Sequence, residues 1–230
     1  MGYDSEQAYP IVFDLETVAI DGAADYLEPP SAPSNYRDPE KIAAYLAEAQ
    51  QKALDKAALD LDLCRIVALG YDTSTPTATL DPVVATMPLG EAEERAELRA
   101  FWAAVGDRPL LGFNCLQFDI PVLLRRSLYL GVAPRPFLLG KYKHPGILDL
   151  MQHLSFDGLV PYRSLSFYCR RIGLDVPADA TSGADIARLV AVNDWDAVRE
   201  HCRIDVLKTR ALAEWAGLMR RDGPAPAEAL

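Results

Sequence analysis

The chain has 230 residues, 50 % of them hydrophobic, 24 % charged and 9 % aromatic, with a formal net charge of -10. That composition excludes wholesale disorder, a collagen-like fibre and a disulfide mini-scaffold, and the length fits one domain, or one with an embellishment, better than two full cores. The acidic balance excludes coating of nucleic acid by bulk electrostatics, which needs many clustered cations, so any polyanion must meet local positive charge or metal.

The start, MGYDSEQAYP, lacks the basic residues and apolar run of a signal peptide, and Glu6 breaks the myristoylation pattern begun by Gly2. No run approaches the ~18 apolar residues of a membrane span. The cysteines, Cys64, Cys115, Cys169 and Cys202, form no C-x-x-C pair and there are three histidines. Reduced, buried thiols in a cytoplasmic protein without a zinc site are the expectation.

In chain order, residues 9–20 alternate apolar and polar and read as a strand. Residues 21–35 turn linker-like, with Pro29, Pro30 and Pro33, before Asp38 caps a helix that opens on Pro39. Ile42, Tyr45, Leu46, Ala49, Ala53 and Leu54 form its stripe, so 21–60 is an insertion-like element. Strands follow at 64–71 and 78–86, the second broken by Pro82, then a helix over 91–105 with an acidic first turn. RPLLGFN, 108–114, reads as a strand buried on both faces, followed by a helix over 120–129. Further helices are predicted at 148–155, 164–173, 182–191 and 194–217, leaving 221–230 as a flexible tail. The order predicts a mixed β-sheet flanked by helices in one α/β domain over 1–220. Phosphate-cradling glycine loops and a G-x-S-x-G elbow are missing from the sequence.

The chemistry therefore lies with carboxylates. Asp14 and Glu16 leave one face of the first strand, while Phe13, Leu15 and Thr17 leave the other. Two buried carboxylates this close repel unless a cation or proton compensates, so they are either metal ligands or a solvated strand end. On the last helix, His201 and Asp205 share a stripe with Val198, Cys202, Val206 and Thr209, whereas Arg199, Glu200, Arg203 and Lys208 read as its solvated face. The pair is either functional or a satisfied core contact. Asp119 opens the helix after the buried strand, as a cap or as a ligand at a strand end. Asp149 reads as a helix cap, with a ligand role in reserve.

Three segments, FDLET at 13–17, NCLQFD at 114–119 and HCRID at 201–205, resemble the four-acid 3′-5′ exonucleases of the ribonuclease H-like superfamily. GFNCLQFDIPVL, DLMQHLSF and CRIDVLKT are similar to the proofreading exonuclease domain of B-family DNA polymerases and its free-standing relatives. The resemblance implies a ribonuclease H-like mixed sheet, with three antiparallel strands and then parallel ones. It implies hydrolysis at the 3′ end of single-stranded DNA with two Mg2+ or Mn2+ ions held by Asp14, Glu16, Asp119 and Asp205. Leu15, Thr17, Asn114 and Phe118 match positions lining the pocket for the terminal nucleotide. His201 stands four residues before Asp205, where one branch of the superfamily carries Tyr, and so becomes the base or water positioner.

Local cations at Arg135, Lys141, Lys143, His144, Arg163, Arg170 and Arg171 are candidates for the phosphate backbone, with Lys141 and Lys143 expected to touch substrate. The helix at 38–58 is a candidate surface for a polymerase or replication partner. Rival readings are a 3′-5′ exoribonuclease or oligonucleotide-trimming enzyme, and an idle nucleic-acid-binding or polymerase-accessory module. The exonuclease reading requires the four acids to converge, with none neutralised by a lysine or arginine.

Overall fold

The structure is a computed structural model that describes residues 9–74, 81–137, 139–140 and 144–219. Its centre is β1 (Ile11–Ala19), whose Ile11, Val12 and Phe13 are shut off from solvent. β2 (Cys64–Asp72) pairs with β1 antiparallel, and β3 (Val83–Thr86) pairs antiparallel with β2. On the other side β4 (Leu110–Gly112) and β5 (Ile147–Asp149) add in parallel, giving the order β3-β2-β1-β4-β5. Three antiparallel strands followed by parallel ones is the arrangement the family resemblance implies.

Alternation along β1 sorts the two layers. Phe13 and Leu15 pack with Leu98, Phe101 and Ile120 from α2 (Glu91–Val105) and α3 (Asp119–Tyr129). Val12, on the opposite face, shares a cluster with Val206 of α7 (Trp195–Trp215). The Cys202 thiol of α7 meets the Asp14 carbonyl at 3.6 Å. α7 can lie this low because β2 carries a glycine beneath it. A Cβ on Gly70 would stand 2.9 Å from the Cys202 Sγ and 3.0 Å from the Val206 Cγ2. Asp14 and Glu16, on the Val12 face, are thus brought up under α7.

The insertion between β1 and β2 contains α1 (Pro39–Ala57), capped by Asp38, whose side chain accepts from the Glu40 N–H at 3.0 Å. Only Ala57 of α1 is buried. Where a helix over 148–155 is expected, residues 147–149 form β5 and the helix is α4 (Leu150–Leu154). Asp149 makes that break, because its carboxylate accepts from the Met151 and Gln152 N–H groups and so caps α4. α5 (Leu165–Ile172) and α6 (Ile186–Ala191) complete the helices. The strand over 108–114 shortens to 110–112. All four cysteines are free and buried. Among the described residues no helix is long and apolar enough to cross a membrane. The expected tail at 221–230 lies outside the described residues.

Candidate active site

A cleft of about 1060 Å³ opens at the C-terminal ends of the parallel strands, between β1, the first turn of α3 and α7. Asp14 and Glu16 line it from β1, Asp119 from α3, and His201, Asp205 and Lys208 from α7. Steps of four and three residues put those three α7 side chains on one stripe.

Asp119 reaches the cleft through the turn 114–118. Asp149 pins that turn, accepting from the Asn114 and Leu116 N–H groups, both at 3.0 Å. With the two N–H groups of α4 its oxygens are committed to backbone, so the capping reading of Asp149 holds. Asn114 itself sits at φ 61°, a left-handed conformation that asparagine tolerates. Phe118, not Asp119, occupies the N-cap position of α3, and no side-chain cap bond forms there. The Asp119 carboxyl is thus left facing the cleft.

The electrostatics are those of crowded acids. Burial first, then the charges of Glu16, Asp119 and Asp205, push the Asp14 carboxyl well above the usual carboxylate range, partly offset by Lys208. Glu16 is raised in the same way by burial, Asp205, Asp119 and Asp179. Burial lifts Asp119 to about 7, against N–H hydrogen bonds that pull it down. Keeping that one carboxyl ionised at neutral pH costs on the order of 4 kcal/mol relative to an exposed aspartate.

His201 lies between two acids. Its Nδ1 is 2.7 Å from the Asp179 Oδ2 and its Nε2 is 3.4 Å from the Glu16 Oε1. The Lys208 Nζ donates to the Asp205 Oδ1 at 2.7 Å and to the Asp179 Oδ2 at 3.2 Å. Burial works against that ammonium, yet its bonds to Asp205 and Asp179 hold its pKa above the ordinary lysine value. Against its burial, the Thr181 N–H and then the hydrogen bonds from His201 and Lys208 bring Asp179 below the carboxylate range.

Several expectations change here. Lys208, assigned to the solvated face of α7, is only 6 % exposed, because its seven-residue step from His201 returns it to the inner stripe. Asp205 is paired with it at 2.7 Å, so the condition that none of the four acids be neutralised by a lysine or arginine is not met. Asp179 was missed altogether. It sits in the stretch between α5 and α6, where no periodicity or motif marks it. Thr17 does not line the cleft, because its hydroxyl donates to the Ala58 carbonyl at 2.6 Å and ties β1 to the end of α1. Leu15, Asn114 and Phe118 do line it, as do Arg163 and Arg170. Lys141 and Lys143 lie outside the described residues.

The donor set fits hard divalent cations. Five carboxyl groups, from Asp14, Glu16, Asp119, Asp179 and Asp205, line the cleft against Lys208, Arg163 and Arg170, and of those three cations Lys208 is the one ion-paired to the acids among the described residues, so acid remains in excess for a hard cation to balance. Among the described residues, the group of three or more side chains whose metal-ligating atoms all lie within 4.8 Å of one another is Asp179, His201 and Asp205. That group differs from the expected acidic quartet and includes both acids that hold Lys208.

Residues 57–213 match a family described as a predicted 3′-5′ exonuclease related to the exonuclease domain of PolB. An uncharacterized protein of Methanocaldococcus jannaschii is 38 % identical over 95 residues, covering 39 % of this chain and 51 % of that protein, about half its length. Among solved structures, the family B DNA polymerase of the hyperthermophilic archaeon Pyrobaculum calidifontis is similar with a TM-score of 0.56 at 16 % identity. That likeness covers 94 % of this chain and 25 % of the polymerase, and it fixes the fold as the ribonuclease H-like α/β arrangement.

Proposed function

The chain belongs to the predicted 3′-5′ exonucleases related to the exonuclease domain of PolB, and from that premise we propose that it removes nucleotides from the 3′ end of single-stranded DNA with two Mg2+ or Mn2+ ions. The observation that carries this reading is the excess of acid in the cleft, five carboxyl groups of which two, Asp205 and Asp179, are ion-paired to Lys208. Asp14, Glu16, Asp119 and Asp205 are the residues that hold the ions, with the Lys208 ammonium displaced from Asp205. When bound, the ions make a water nucleophilic at neutral pH and neutralise charge growing on the phosphoryl oxygens.

The chain's own groups do the rest. Asp179 accepts from Nδ1 of His201, which fixes the proton there and leaves Nε2 as the acceptor on the Glu16 side. An imidazole so oriented positions a water and accepts its proton. Among the described residues the buried Asn114 Oδ1 has no hydrogen-bond partner, which suits an acceptor for a sugar hydroxyl of the terminal nucleotide. Phe118 and Leu15 supply an apolar wall on which a base of any identity stacks. Lys141 and Lys143 remain the proposed phosphate contacts, and α1, nearly all of it accessible, the proposed surface for a polymerase or replication partner.

The test is a 5′-labelled strand with a free 3′-hydroxyl incubated with Mn2+, with and without chelator, beside a 3′-blocked strand and a matched RNA. A chelator-sensitive ladder from the 3′ end of DNA is expected. Equal or faster cutting of RNA moves the assignment to an exoribonuclease. Strand binding that survives Asp14→Ala, with no turnover before mutation, marks an idle binding module. His201→Ala should slow turnover far more than it weakens strand binding, and an unchanged kcat removes His201 from the mechanism.

A further inference from the structure

Lys208 lines the cleft with its ammonium turned onto two of the acids. Its ammonium bridges two carboxylates, Asp205 at 2.7 Å and Asp179 at 3.2 Å, inside a cleft lined by three further carboxyl groups, those of Asp14, Glu16 and Asp119. We propose that Lys208 is a tethered counter-ion: in the ion-free protein it sits on Asp205, and when a divalent ion takes Asp205 it withdraws onto Asp179. The inference rests on the reading of the cleft as a divalent-metal site.

Four features support the exchange. An ammonium on a four-carbon stem is a compact charge with three rotatable donors, so it passes between two carboxylates without moving the backbone, which a guanidinium fork cannot do. The two seats are already bonded to one nitrogen, so the transfer is a shift of one contact and not a search. Asp179 is a prepared seat, since the Thr181 N–H holds its Oδ1 at 2.9 Å and His201 holds its Oδ2 at 2.7 Å whether or not Asp205 is free. Finally, an ammonium and a divalent ion on one carboxylate repel strongly in a poorly solvated cleft, so an ion can join Asp205 only as Lys208 leaves.

Charge balance agrees in both states. Without ions the lysine softens the repulsion that Asp14 and Asp205 exert on each other. With two ions the remaining four carboxylates are matched and Lys208 keeps Asp179, and through it the His201 ring, in place. Lys208 therefore sets how tightly the Asp205 side of the cleft takes metal, and Asp179 sets how readily the lysine gives way.

The experiment is calorimetric titration of the ion-free protein with Mn2+ alone, with unfolding in chelator recorded for every variant. Lys208→Met should bind Mn2+ about tenfold more tightly or better, while unfolding at a lower temperature in chelator because the acids lose their resident cation. Asp179→Asn should weaken Mn2+ binding, since the ammonium loses its second seat and stays on Asp205. In the double variant most of that weakening should vanish, because no ammonium remains to be seated; simple loss of a distant charge predicts equal weakening in both backgrounds. Lys208→Gln, which keeps a hydrogen-bond donor without the charge, serves if the methionine variant fails to fold and should also tighten binding. Unchanged or weaker Mn2+ affinity in the folded lysine variants, or an Asp179→Asn effect that ignores residue 208, overturns the inference. A parent that ladders DNA while showing either result sinks the Lys208 inference alone. A parent that shows the reciprocal shifts but leaves 3′ ends intact sinks the exonuclease reading alone.

Discussion

Arg126 and the cleft acids are both buried charge, and the protein treats them in opposite ways. The Arg126 guanidinium, 3 % exposed, donates to both oxygens of the fully buried Glu94 at 2.7 Å and reaches Glu91 at 3.1 Å, while Glu94 also accepts from the Ile66 N–H. Arg210 donates through Nη1 to Asp72 and through Nε to Glu214 at 3.0 Å. Each of these guanidiniums donates to the acids beside it, Arg126 as a fork onto Glu94, and the pairs fix α2 to α3 and α7 to the end of β2. In the cleft, five carboxyl groups have Lys208 and His201 as their ion-pair partners among the described residues, with Arg163 and Arg170 lining the cleft but not paired to them. A buried charge that serves the fold is matched inside the chain, whereas an excess of one sign is where something from outside has to bind.

The largest effect comes from removing the acid at the centre of the excess. Asp14→Ala should lower Mn2+-dependent turnover by at least about 10³-fold, roughly 4 kcal/mol of transition-state stabilisation, measured as single-turnover rates on the labelled strand. The same substitution should raise the unfolding temperature in chelator, because Asp14 is held above its ordinary pKa by burial and by Glu16, Asp119 and Asp205. Arg126→Met sits on the other side of the comparison. It should destabilise the fold by about 3 to 5 kcal/mol in urea unfolding, leaving Glu94 buried and unmatched, while the fraction that remains folded cuts at the parental rate. If both substitutions act on stability and turnover alike, the two kinds of buried charge are not distinct.

A pH series sharpens the contrast without mutation. Asp119, with a folded pKa of about 7 against an ordinary 3.8, binds its proton more tightly in the folded than in the unfolded chain. The stability it contributes is fully present below about pH 4 and is lost as pH rises toward 7, and Asp14 and Glu16 are shifted in the same direction. Asp179, Asp185 and Glu200 are shifted down, so their contributions change at or below the ordinary carboxylate range and do not mask this window. Chelated protein should therefore lose about 3 to 4 kcal/mol between pH 4 and 7, and saturating Mn2+ should flatten the profile above pH 6. A chelated protein whose stability rises across that window contradicts the crowded-acid description.

How much of this the sequence already carried divides along the same line. Strand alternation places Asp14 and Glu16 together, Asp38 and Pro39 locate the start of α1, and the boundaries of α2 fall at 91–105 as its acidic first turn implies. These are local signals, set by period and capping. β5 escaped because three residues, Ile147–Asp149, are too few to show a period, and they pair only through the distant β4. Lys208 was misplaced because polarity outweighed helical phase in reading α7, although a step of seven from His201 points inward. Asp179 carries no local mark at all; only the folded chain brings it to His201 and Lys208, 22 and 29 residues away.

The smallest effect tests how rigidly the two walls of the cleft are held together. Gly70 has an ordinary backbone conformation, so alanine there carries no backbone strain and even restricts the unfolded chain slightly. Its Cβ, however, would meet the Cys202 Sγ at 2.9 Å and the Val206 Cγ2 at 3.0 Å, and α7 would have to lift by a few tenths of an ångström. Gly70→Ala should destabilise by about 1 to 3 kcal/mol, as overpacking does. Because α7 carries His201, Asp205 and Lys208 on the face that would lift, turnover should fall severalfold while strand affinity holds. Adding Cys202→Ala removes the sulfur that the new methyl strikes and should recover part of both losses. If stability returns in the double variant but turnover does not, the Cys202 thiol itself, bonded to the Asp14 carbonyl, helps to set the position of the first acid.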